Sequence, residues 1–177
     1  IGSATGKPQR GRFVMDPTAS IRMDGATGML DFGRLVNKQR VSAGAGTLNI
    51  GVTDGFELLG SLSAFAPDAS VAGGTVNIAL SQERLTDRAT VSSYPTGDAA
   101  GKRMIHLTQT AEQATELANG TLKFGEGVAS ADALTGSGFD RISLRADHSV
   151  SLGADVHLAR LGNAPLQSVV LNAPVID

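Results

Sequence analysis

The sequence predicts an all-β fold: a right-handed parallel β-helix (solenoid) with one short helical/loop excursion at about 82–120, in a single segment spanning residues 1–177. Three observations carry this expectation. A five-residue pattern, Gly46–Thr47–Leu48–Asn49–Ile50, returns 28 positions later as Gly74–Thr75–Val76–Asn77–Ile78. Short bursts of apolar and polar alternation follow one another every roughly 8–12 residues, the spacing of a many-stranded β fold. The composition is also poor in large side chains, with aromatics at 4%, no Trp and one Tyr, alongside 22 Gly. Aromatic residues usually dominate a globular core because each buries so much area. Small and β-branched residues suit a thin interior of stacked strands better.

Taken in chain order, strands are expected around Phe13 and Met15, Ile21 and Met23, and Leu30 and Phe32. The first repeat copy follows, then Phe56 and Leu58, then the second copy. Leu48, Ile50 and Val52 share one face, as do Val76, Ile78 and Leu80, so the two copies can stack in register with Asn49 and Asn77 outward. Gln82 to Arg103 is polar, carries Pro95, and reads as an excursion with one strand at Ala89 to Ser92. Thr110 to Asn119 reads as a short helix: Thr110 caps it, Gln113 stands at the capping-box position and Gly120 stops it. Ala114, Leu117 and Ala118 form its apolar stripe. Further strands are expected at Ile105 and Leu107, Leu122 and Phe124, Ile142 and Leu144, Val150 and Leu152, Val156 and Leu158, and Val169 and Leu171. A sandwich or barrel is the rival architecture. Dipeptides suited to a two-residue hairpin turn are scarce between the expected strands, with Asp24–Gly25 and Asp54–Gly55 the candidates, which together with the in-phase repeat favours the solenoid.

The net charge is −2, the isoelectric point is near 5.9 and charged residues make up 18%. No basic stripe is available to neutralise a phosphate backbone, so nucleic acid is not an expected partner. No apolar run approaches the length of a membrane-spanning helix, so no membrane insertion is expected. The lack of Cys excludes disulfides and thiolate metal sites but leaves the compartment open. The sequence opens at Ile1–Gly2 with no signal-peptide pattern, which suggests a processed or excised segment of something longer.

The run Gly138 to Asp147, followed by Ser149–Val150–Ser151–Leu152, resembles the repeats of filamentous haemagglutinin-like exoproteins, the adhesins of bacterial two-partner secretion. Similar in cadence are Val156–His157–Leu158, the run Val169 to Ile176, Ala72 to Ile78, and Asp16–Pro17–Thr18–Ala19–Ser20–Ile21. The resemblance covers most of the chain outside residues 82–119. It implies a structural shaft or adhesive segment, secreted to the bacterial cell surface, that mediates attachment or presents a distal tip. The implied partners are adjoining β-helix coils of the same longer chain, an outer-membrane transporter during export, and a host-cell or bacterial-surface receptor. Neither the amino-terminal secretion domain of that family nor a toxin domain is recognisable.

No catalytic, cofactor-binding or metal-binding residue is assigned, and the chain is not expected to be an enzyme. His106 and His157 alternate with apolar neighbours and so face outward, while His148 lies in a turn. His148 and His157, nine residues apart, could meet on one side of a coil, but solvated surface histidines are by far the better explanation and no metal site is assigned to them. The competing function is a β-helix carbohydrate-active enzyme or a carbohydrate-binding module. Such an enzyme needs converging carboxylates, whereas Asp24, Asp31, Asp54, Asp68, Asp87, Asp98, Asp132, Asp140, Asp147 and Asp155 stand mostly singly at turns. Thr135 to Ser143 nearly fits a Ca²⁺-binding nonapeptide, but the next nine residues do not repeat it. No nucleophile elbow, P-loop or dinucleotide fingerprint is present. Asn119–Gly120–Thr121 matches a glycosylation sequon, which carries little weight if the source is bacterial.

Overall fold

The computed structural model describes residues 11–31, 38–82, 102–120, 122–159 and 166–177. Strands β1 (Arg12–Met15) and β2 (Ser20–Arg22) open the fold, followed by β3 (Ala26–Leu30) and β4 (Gln39–Ala43). The repeat copies become β5 (Thr47–Val52) and β8 (Gly74–Leu80), with β6 (Gly55–Leu58) and β7 (Ser61–Ser63) between them. Then come β9 (Met104–Thr108), α1 (Ala111–Gly120), β10 (Glu126–Ser130), α2 (Ala131–Thr135) and β11 (Phe139–Ala146). Last are β12 (Ser149–Leu152), β13 (Ser168–Asn172) and β14 (Val175–Ile176).

The period-two alternation of the repeat pairs as the sequence implies. Leu48 lies opposite Val76 and Ile50 opposite Ile78 in a parallel ladder. Ile50, Val76, Ile78 and Leu80 are buried and Leu48 and Val52 are partly buried. On the other face, Asn77 Nδ2 donates to Asn49 Oδ1 at 2.8 Å. The same ladder continues through β11 to β13, so Ile142 and Leu144 stack between Val76 and Ile78 on one side and Val169 and Leu171 on the other. A six-stranded sheet runs β1-β6-β10-β9-β12-β14, and β2 pairs with β7. All these pairs are parallel. Among the described residues, only β3 and β4 pair antiparallel. One apolar cluster joins the sheets, from Met15 and Phe56 through Ile78 and Leu107 to Leu144 and Val150.

This architecture overturns the expected all-β, right-handed parallel β-helix. Among the described residues, the strands form several separate sheets of mixed α/β character with two helices, and they do not close into a solenoid. A solenoid adds strands in chain order at a near-constant period. Here the pairing step varies widely: Thr47 meets Thr75, but Thr75 meets Arg141 and Phe56 meets Gly127. Strand β10 lies between β6 and β9, although β9 comes first in the chain. The physical cause is a strand–helix–strand unit. Helix α1 packs on both β9 and β10, and this crossover sets the two strands side by side in parallel.

Two expected strands are also absent. Leu122–Phe124 leads into a turn at Gly125, which holds φ +83, and Val156–Leu158 packs against the core without strand geometry. The strand expected at Ala89 to Ser92 lies outside the described residues.

Candidate functional site

The capping pattern Thr110-x-x-Gln113 folds as a reciprocal box. Gln113 N donates to Thr110 Oγ1 at 3.3 Å, and Thr110 N donates to Gln113 Oε1 at 3.1 Å. Beside it, Gln109, just past the end of β9, reaches α1, α2 and the irregular segment at His157. Its N–H reaches Gln113 Oε1 at 3.0 Å, its Nε2 donates to Asp132 Oδ1 at 2.6 Å, and its Oε1 accepts from His157 N at 2.6 Å. A cavity of about 160 Å³ opens here, lined by Thr108, Gln109, Gln113 and the Gly153–Val156 turn. A second, shallower groove of about 430 Å³ lies between Pro17 and Leu59 on one side and Ala111, Glu112, Thr115 and Glu116 of α1 on the other.

The three histidines do not converge. His106 lies half-buried with Nε2 3.6 Å from Glu126 Oε2, His148 is half-buried in its turn, and His157 is exposed. Among the described residues, no three His, Cys, Asp or Glu side chains gather where they could hold a metal ion. Nor, among those residues, is any helix long and apolar enough to cross a membrane.

The aspartates are engaged with the backbone and with neighbouring hydroxyls. Asp24 accepts from Ser63 Oγ and from Phe65 N at 2.9 Å, and pairs with Arg22 at 3.0 Å. These contacts, the Ser63 hydroxyl first, hold its carboxyl below the usual range. Asp68 accepts from the hydroxyls of Ser42 and Ser70 and from Ser70 N, which lowers its pKa to about 2. Asp147 Oδ2 accepts from Gln82 N at 2.7 Å. Asp140, in the near-match to the Ca²⁺ nonapeptide, is buried, and its Oδ2 accepts from Gly73 N at 2.6 Å and Gln167 Nε2 at 3.1 Å. Gly138 beside it holds φ +84, and a Cβ there would lie 2.7 Å from the Phe65 backbone. The carboxylate therefore fastens one turn to its neighbours, as a structural clamp.

Sequence reasoning missed Arg103. Its side chain is fully buried, Nη1 donates to Lys102 O at 3.0 Å, and the guanidinium lies 5.1 Å from the Phe124 ring centroid. The signal was available, since Arg103 shares its parity with Ile105 and Leu107 and therefore their inner face. Comparison with protein-family models, with curated proteins and with solved structures returns no match.

Proposed function

We propose that the chain is a structural, adhesive segment of a secreted bacterial surface adhesin similar to the filamentous haemagglutinin-like exoproteins, and not itself an enzyme. The observation that carries this reading is the pairing of the repeated pattern with itself. Two copies of one pattern lie side by side in register, with aliphatic side chains inside and bonded asparagines outside. The residues that carry the resemblance fall on neighbouring parts of the same framework: Gly138 to Asp147 on and around β11, Ser149 to Leu152 on β12, and Val169 to Ile176 across β13 and β14. A rigid framework of this kind suits a protein that holds a surface towards a receptor. Its partners would be the outer-membrane transporter during export and a receptor on a host or bacterial surface.

The test is attachment. Beads coated with the chain should capture bacterial or cultured epithelial cells in a dose-dependent way, and soluble chain should compete. Capture no greater than that of beads bearing an unrelated acidic protein would overturn the adhesive reading. Incubation with acidic polysaccharides should yield no new reducing ends, and clear turnover would replace the proposal with a carbohydrate-active enzyme.

A further inference from the structure

The four-stranded sheet β5-β8-β11-β13 is wholly parallel, and only one of its faces meets the core. Parallel sheets are as a rule covered on both faces, so the bare second face calls for an account. Alternation and register fix what it carries. Thr47 stands beside Thr75, Asn49 beside Asn77, and Ser143 continues the asparagine row between Arg141 and Arg145 of β11. These side chains are exposed or half-buried, and a Cβ added at Gly51 in the next row would meet nothing. None of the outward positions of the four strands is an Asp or a Glu. Asp147 lies past the end of β11 and accepts from Gln82 N. Arg141 donates to Gln167 Oε1 at 3.3 Å, and among the described residues neither arginine pairs with a carboxylate. A protein of net charge −2 thus presents one flat sheet face on which the charged positions are two arginines.

We infer that this face binds a carboxylated polysaccharide, a chain of hydroxyl-bearing rings with carboxylates spaced along it. The inference stands on the sheet face and goes beyond the adhesive reading. Arg141 and Arg145 are four residues apart on one strand, about 13 Å at the usual rise. Each guanidinium can take a carboxylate in a two-pronged hydrogen bond. Between and beside them stand neutral groups suited to sugar hydroxyls. The Asn77–Asn49 bond uses one atom of each amide, so Asn49 Nδ2 still donates and Asn77 Oδ1 still accepts. Short side chains keep the surface level, so a stiff chain can lie across β5, β8 and β11. Charge density decides against other polyanions. A nucleic acid strand carries a phosphate about every 3.4 Å, and a densely sulfated chain is also crowded with charge. Two cations so far apart would leave most of those anions desolvated against Thr, Ser and Asn. One such contact is weak, and repeated contacts along one polymer add avidity.

Affinity electrophoresis in gels containing polygalacturonate tests this. The parent should be retarded relative to a polymer-free gel. Fully methyl-esterified polygalacturonate, the same backbone without its charge, should not retard it, and dextran sulfate should do so less than polygalacturonate. Arg141→Gln combined with Arg145→Gln should abolish the retardation at an unchanged melting temperature, since both side chains are exposed. Arg22→Gln combined with Arg40→Gln removes the same charge elsewhere, where each arginine pairs with an aspartate, and should leave retardation intact. Cell capture can fail while polygalacturonate binding succeeds, and the reverse, so this inference and the adhesive reading fail separately. A parent that is not retarded, equal retardation by the methyl ester, stronger retardation by dextran sulfate, or equal effects of the two double variants would each overturn the inference.

Discussion

At the scale of single residues, the repeat register makes a sharp distinction between neighbours. Ile78 is 1% exposed, so Ile78→Asp buries a carboxyl group without a partner at a cost of several kcal/mol, whether borne as charge or as a raised pKa. The parent and variant compared by urea melts should show a large drop in midpoint or outright unfolding. Asn77→Asp should cost about 1 kcal/mol, because it removes the donor to Asn49 Oδ1 and sets two acceptors face to face. Equal tolerance of the two changes would show that the register is wrong. The inward parity of Ile78 was legible in the sequence, but the Asn49–Asn77 bond needed the stacked geometry. Asp68 illustrates the same limit. A turn aspartate was legible, whereas its partner Ser42 comes from a distant strand. With its pKa lowered to about 2 from 3.8, Asp68 binds a proton less readily in the folded than in the unfolded chain. Its contribution to stability is present above the unfolded value and is lost as pH falls through the folded one. Melting temperature should therefore lose this contribution between about pH 4 and pH 2. Asp68→Asn should show a shallower decline over that window than the parent, and identical slopes would show that the carboxylate is not held by its serines in solution.

Among the elements, α1 was the most legible, because a capping box is a local device and needs no distant partner. Thr110→Ala should cost about 1 kcal/mol and reduce the helical component of the far-UV circular dichroism spectrum. Gln113→Ala should act in the same direction, since its Oε1 serves the N–H groups of both Gln109 and Thr110. An unchanged urea midpoint for both variants would show that the box is not formed in solution. Two-residue alternation proved a weaker signal. Phe124 is placed by its contact with Arg103, and Val156 and Leu158 pack on the core from irregular backbone. The Leu30 alternation suggested a half-buried strand, yet β3 pairs antiparallel with β4 and leaves Met29 60% and Leu30 48% exposed. Two apolar residues separated by one position fix a parity, but neither a ladder partner nor a covered face follows from them.

For the molecule as a whole, a local repeat was legible and its extension was not. One matched pair of strands supplies a step of 28 residues, but the chain then inserts α1 and sets β10 back between β6 and β9. No pattern within β9 or β10 announces that exchange: β9 alternates as any parallel strand does, and β10, Glu-Gly-Val-Ala-Ser, is buried along nearly its whole length and shows no alternation at all. The consequence is energetic as well as topological. In a linear array each unit interacts only with its neighbours, and damage at one place leaves distant units standing. Here β9 lies in the interior of the six-stranded sheet, and its Leu107 belongs to the same apolar cluster as Ile50 and Ile78 of the other sheet. Leu107→Ala should cost about 2–5 kcal/mol by leaving a cavity in that shared core. Amide hydrogen exchange would locate the damage. If the core unfolds as one body, the most protected amides of β8 and β11 should lose about the same free energy as those of β9 and β12. Loss confined to β9, β10 and β12, with β8 protected as in the parent, would mean that the two large sheets unfold as separate units despite their shared cluster.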